Sequence, residues 1–116
     1  MLTEKLEDRS LLAGPYAPAA GEIGSTAVAK NDSGIESWAT EVANYSPGSN
    51  VDAAFQTPSN AIGPAEGTSG DAVSLGRGGQ ITLRFDAPIR DGIGADFVVF
   101  ENSVNDTFLE LGFVEV

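Results

Sequence analysis

The side chains most able to do chemistry in this sequence are acidic and closely spaced. Asp86, Asp91, Asp96 and Glu101 recur every five residues, and Asn102, Asn105 and Asp106 follow directly. Carboxylates in and around a glycine-rich connection could converge on one cation. Ca2+ suits such a set, because it takes about six to eight oxygens from carboxylates, Asn side chains and backbone carbonyls in irregular loops, whereas Mg2+ demands stricter geometry. Asp91, Asp96 and Glu101 are the expected metal ligands. The segment DGIGAD at 91–96 is not an EF-hand loop, which needs acids at alternate positions and a closing Glu. The competing account is structural: Asp residues form turns by accepting hydrogen bonds from nearby backbone N–H groups. Glu101 separates the two accounts. It follows the apolar run FVVF, and a carboxylate at the end of a buried strand needs a partner. Arg84, Arg90 or a metal ion would each serve.

Other chemistries find less support. The sequence holds no His and no Cys. That removes Ser-His-Asp and Cys-His catalysis, the usual zinc sites, disulfides and thiolate chemistry. Two carboxylates about 5–9 Å apart could hydrolyse a glycoside, but any acidic chain supplies such pairs. GRGG at 76–79 suggests a phosphate loop, which requires a strand before it and a helix after it. Here a strand pattern follows, so a tight turn is the better account. Asn31-Asp-Ser, Asn44-Tyr-Ser and Asn105-Asp-Thr match the glycosylation acceptor pattern, which matters only in a eukaryotic secretory pathway. No catalytic and no cofactor-binding residues are therefore expected. Trp38, the only Trp, reads first as a core anchor under a sheet and second as a platform for stacking a sugar ring.

Charge narrows the partners. Net charge is −11 at pH 7 over 116 residues. Most of the acids lie in 35–116, where only Arg77, Arg84 and Arg90 oppose them. Such a field repels phosphates, which excludes nucleic acid and disfavours anionic membranes. No apolar run approaches the roughly 18 residues of a membrane span, and no signal-peptide core is evident. The length fits one small domain with a modest core. Hydrophobic residues make up 41% of the chain, and Gly 14 and Pro 6 imply many turns, as a β-rich protein needs.

The elements follow from periodicity. Residues 1–33 are rich in Ala, Gly, Pro and Ser without a sustained period, and read as a flexible leader with one helical turn over 3–12. Residues 34–45 predict a short helix. Ser33 or Asp32 caps it, Glu36 completes a capping box, and Ile35, Trp38, Val42 and Tyr45 form one apolar stripe. Residues 46–79 are dominated by turn formers, with 51–55 and 61–62 as apolar pegs and 73–75 as a short strand. In 80–86 Ile81, Leu83 and Phe85 alternate with Gln80, Thr82 and Arg84, the pattern of a half-buried strand. Residues 97–100, FVVF, read as a strand covered on both faces. In 108–116 the alternation changes phase at Gly112 and Phe113, which predicts a β-bulge. All Phe residues but Phe55 lie between 85 and 113, so the core is expected there.

Two stretches carry a resemblance. LEDRSLLAG at 6–14 resembles the "LE-x-R-x-LLA" signature near the N-termini of exported planctomycete proteins. Three further blocks, SLGRGGQITLRF at 74–85, DGIGADFVVFEN at 91–102 and LELGFVEV at 109–116, with Trp38, Val42, Tyr45 and the IGP of 62–64, resemble a group of uncharacterised bacterial cell-surface proteins across roughly 36–116. The resemblance implies an all-β, jelly-roll-like antiparallel β-sandwich of the galactose-binding type, outside the cell, with no established catalysis. In that group the last strand continues into a further half, so 34–116 is expected to be the first half of a sandwich. An uncovered half would self-associate through its open sheet edge.

The function expected from sequence is a non-catalytic extracellular or cell-surface binding or adhesion module, carbohydrate-binding-like and braced by Ca2+, with a glycan or a surface protein as partner. A structural piece of a larger surface protein, with no ligand of its own, is the alternative. A carbohydrate-active enzyme is a second alternative.

Overall fold

Two strands pair across a long stretch of chain. The computed structural model describes residues 18–102 and 112–116. Strand β1 is Glu41–Ser46 and strand β2 is Gln80–Arg84. They form an antiparallel two-stranded ladder, with Glu41 opposite Arg84, Val42 opposite Leu83, Tyr45 opposite Ile81 and Ser46 opposite Gln80. The register shifts between Val42 and Asn44, which leaves Ala43 as the extra residue of a β-bulge. Among the described residues there is no α-helix, and the remaining regular structure is three short 3-10 turns at Ala53–Phe55, Pro58–Ala61 and Ser69–Asp71.

The predicted strand at 80–86 is present in shortened form, with Ile81 and Leu83 half-buried and their neighbours exposed. The predicted helix over 34–45 is not. Asp32 takes the Gly34 N–H on its side chain at 2.7 Å and the Ile35 N–H on its carbonyl at 3.2 Å. Those local bonds close a single turn, and the chain then runs extended into β1. The four residues of the apolar stripe are all half-buried. What brings Val42 and Tyr45 to one face is the bulge between them. Val, Tyr and Trp also fit a pleated surface better than a helix.

Residues 73–75 form no strand, but they are half-buried and stitched into place. Ser74 donates its N–H to Phe55 at 2.9 Å, and Leu75 accepts from Gly48 at 2.8 Å. Residues 97–100 form no strand either. A strand apolar on both faces needs a layer over each; among the described residues these four pair with no strand, and Phe100 alone has an aromatic contact, with Trp38. Phe97 is 43% exposed and Val99 67%. The predicted strand and bulge at 108–116 fall partly outside the described residues. Within 112–116 no regular structure forms, and Phe113 is fully exposed. The helical turn predicted at 3–12 lies outside the described residues.

The described residues belong to two units. Lys30–Asn102 is one, and it holds the ladder. Residues 18–29 and 112–116 belong to the other, where Ser25 Oγ donates to the Pro18 carbonyl at 2.7 Å. In the ladder unit Ala39 alone is buried, at 7% exposure. Its carbonyl accepts the Gly63 N–H at 2.8 Å, and the next N–H, of Thr40, donates to the Arg84 carbonyl at 2.8 Å. Ala39 thus ties the long connection, at Gly63, to the segment just before β1.

The connection at 47–79 is clipped at its base. Ser49 and Arg77 form an isolated antiparallel bridge beyond the ladder. The approach is so close that a Cβ on Gly48 would run into the Arg77 carbonyl, and one on Gly79 into the Leu75 carbonyl. The GRGG segment is a tight turn, with the Gly79 N–H donating to the Gly76 carbonyl at 3.3 Å. It leads into β2, which is the order that removes the phosphate-loop account.

Candidate functional site

Of the residues singled out for chemistry, Asp86 lies at the open end of the ladder. β2 ends at Arg84 and the chain continues through Phe85 and Asp86 into the acidic connection. Asp86 is held there: Thr40 Oγ1 donates to its Oδ1 at 2.9 Å. One turn-like clasp closes the connection itself, where the Gly92 N–H donates to Asp96 Oδ1 at 2.8 Å. This is the role a turn-forming carboxylate plays. Arg84, one of the partners considered for Glu101, is engaged by Glu41 across the ladder, with Nη1 and Oε1 3.0 Å apart. Both side chains are largely solvent-exposed, so this pair contributes at most about 1 kcal/mol.

Asp91, Asp96 and Glu101, the expected metal ligands, all lie in one exposed stretch of the ladder unit. Among the described residues no three acidic side chains gather where they could hold a metal ion. Asp96 spends one carboxylate oxygen on Gly92. Asn105 and Asp106 lie outside the described residues.

Trp38 is half-buried, and the aromatic ring beside it is exposed rather than part of a core. Trp38 packs against Phe100, ring centroids 5.4 Å apart and planes tilted by 35°. Offset, tilted packing of this kind is the favoured geometry for aromatic pairs. Phe100 nevertheless stays 37% exposed. Phe85, Ile89, Phe97, Val98 and Val99 are exposed to a similar or greater degree, and Ile93 fully. The exposed apolar run from 85 to 100, ending on the Trp38–Phe100 pair, is the feature that sequence reasoning missed. Its apolar residues were assigned to a core. The signal available was the acids interleaved at 86, 91, 96 and 101, which fit a surface better than an interior.

No family model, no curated protein and no solved structure matches the chain. Among the described residues no helix is long and apolar enough to cross a membrane.

Proposed function

We propose that this chain is a non-catalytic binding or adhesion module of the cell-surface type, and that its contact surface is the apolar run from Phe85 to Phe100. The observation that carries the proposal is the exposure of that run. Soluble monomers rarely leave a stretch of large apolar side chains in water unless a partner covers it. The exposed flank of the Trp38–Phe100 pair suits the apolar face of a sugar ring or of a protein loop. The galactose-binding-like jelly roll and the extracellular, bacterial setting rest on the sequence resemblance, and the antiparallel ladder is compatible with them. Ca2+ enters the proposal as a brace, drawing Asp91 and Glu101 toward Asp96.

A second reading has its own observation. Both outer edges of the β1–β2 ladder lack a strand partner among the described residues. A two-stranded ladder is marginal in water by itself. On this reading the chain is a structural piece of a larger surface assembly, and a neighbouring strand completes the sheet.

The test compares the wild type with a Phe97→Ser, Val99→Ser double variant, on a glycan array and by sedimentation velocity. Glycan binding that the double variant loses supports the module. Concentration-dependent self-association that the double variant loses supports the structural piece. A wild type that stays monomeric, binds no glycan and behaves like the double variant removes both.

A further inference from the structure

Asp91-Gly92 is the one Asp-Gly step in the sequence, and there is no Asn-Gly step. Among aspartates, one followed by glycine is the most open to backbone attack on its own side chain, since glycine has no Cβ to obstruct the approach. Both residues are exposed and outside regular structure. The nitrogen that would attack is that of Gly92, and its N–H is held by Asp96 Oδ1 at 2.8 Å.

We infer that Asp91 is a site of spontaneous isoaspartate formation and that the Asp96 carboxylate is the latch that slows it. In the first step the Gly92 nitrogen bonds to Asp91 Cγ. The Cγ–OH bond breaks, and water leaves with the amide proton, giving a cyclic succinimide. In the second step water adds to either ring carbonyl, which restores aspartate or yields isoaspartate. No oxidant, reductant or group donor is needed. Attack requires the peptide unit between 91 and 92 to rotate so that the nitrogen faces the carboxyl carbon. The bond to Asp96 closes a ring through 92–96 that fixes the direction of the Gly92 N–H and so opposes the rotation. Isoaspartate would add a methylene to the backbone inside the exposed apolar run, displacing Ile93, Phe97 and Val99 relative to Phe85 and Ile89.

Gly92 offers a clean control. A Cβ there would meet only Asp96 Oδ1, at 3.8 Å, an ordinary contact. Gly92→Ala is therefore accommodated by the loop while obstructing the attack. The full-length protein is incubated at neutral pH and 37 °C, digested, and its peptides separated chromatographically, with isoaspartate placed by fragmentation and the succinimide by its loss of one water in mass. Isoaspartate is expected at position 91 ahead of every other Asp. Asp96→Ala should accelerate it about three- to tenfold, the gain in unlatched loop expected when one hydrogen bond of ordinary net strength is lost. Asp96→Asn, whose side-chain carbonyl still accepts from Gly92, should stay near the wild-type rate, and Gly92→Ala should suppress the product. Equal rates in the wild type and Asp96→Ala would overturn the latch. Formation at position 91 no faster than at Asp52 or Asp86, each followed by alanine, would overturn the site itself.

Discussion

Val42 and Tyr45 are three residues apart yet share one face of the ladder, opposite Leu83 and Ile81, because Ala43 between them is bulged out of register. A spacing of three with both residues half-buried is what a helix produces. Here an irregular strand produces it instead. Deleting Ala43 distinguishes the two. In the ladder the deletion leaves Val42 opposite Leu83 and Tyr45 opposite Ile81, so the thermal midpoint should move by only a few degrees, by about 1 kcal/mol or less. In a helix the same deletion would swing every following side chain by about 100° and break the stripe. Circular dichroism of the deletion variant, followed through a melt, provides the check.

The Tyr45 hydroxyl donates to the Ser74 carbonyl at 2.6 Å and so ties the returning connection to β1. Tyr45→Phe keeps the ring and removes the bond. Stability should fall by about 1 kcal/mol, and amide exchange should quicken at Ser74, whose N–H is bonded to Phe55. An unchanged midpoint together with unchanged exchange would show that the tie contributes nothing.

Gly79 sits where a Cβ would strike the Leu75 carbonyl and the Gly48 nitrogen, both of them backbone. Neither can move without opening the clip. Gly79→Ala should cost about 1–3 kcal/mol, the usual penalty of forcing extra volume into a close approach. Gly63→Ala is the comparison of opposite kind. There a Cβ meets nothing within 4 Å, and any cost comes from the positive φ of +76° alone.

Glu41 and Arg84 form an exposed cross-strand pair. Glu41→Gln should lower stability by less than about 1 kcal/mol, and the difference should shrink as salt is raised. A larger effect that persists in high salt would mean that the glutamate acts through something other than its charge.

Calcium is tested through stability. If Asp91, Asp96 and Glu101 close on the ion, millimolar Ca2+ should raise the thermal midpoint, by about 3 kcal/mol of added stability at a hundredfold excess over the dissociation constant. EDTA should reverse the gain, and Glu101→Gln should abolish it. Midpoints indifferent to both Ca2+ and EDTA would leave the acids as turn formers.

The sequence showed those parts of the fold that depend on local rules. The strict alternation of Ile81 and Leu83 with Thr82 and Arg84 marked β2, and GRGG marked the turn before it. The pegs at Phe55 and Ile62 are half-buried as expected. What misled was the segment around Trp38. A bulge turns period two into a spacing of three, and no single-residue preference announces a bulge at an alanine. Residues 97–100 misled for a different reason. FVVF is equally suited to an interior and to a docking surface, and only neighbouring layers decide between them. At the candidate site, spacing located the acids but not their partners. That Asp96 binds Gly92 and that Arg84 binds Glu41 depends on how the chain closes, which linear spacing does not encode.

The ladder joins segments that leave the ribosome far apart in time. β1 is complete at Ser46, but its partner begins only at Gln80. At a synthesis rate of about 5–20 residues per second, β1 waits for seconds with its backbone unpaired. Loop closure must then be met before any cross-strand bond rewards it, which makes such pairings slow. Once β2 has paired, the bulge at Ala43 leaves β1 with an irregular outer edge, a poor template for a stray strand.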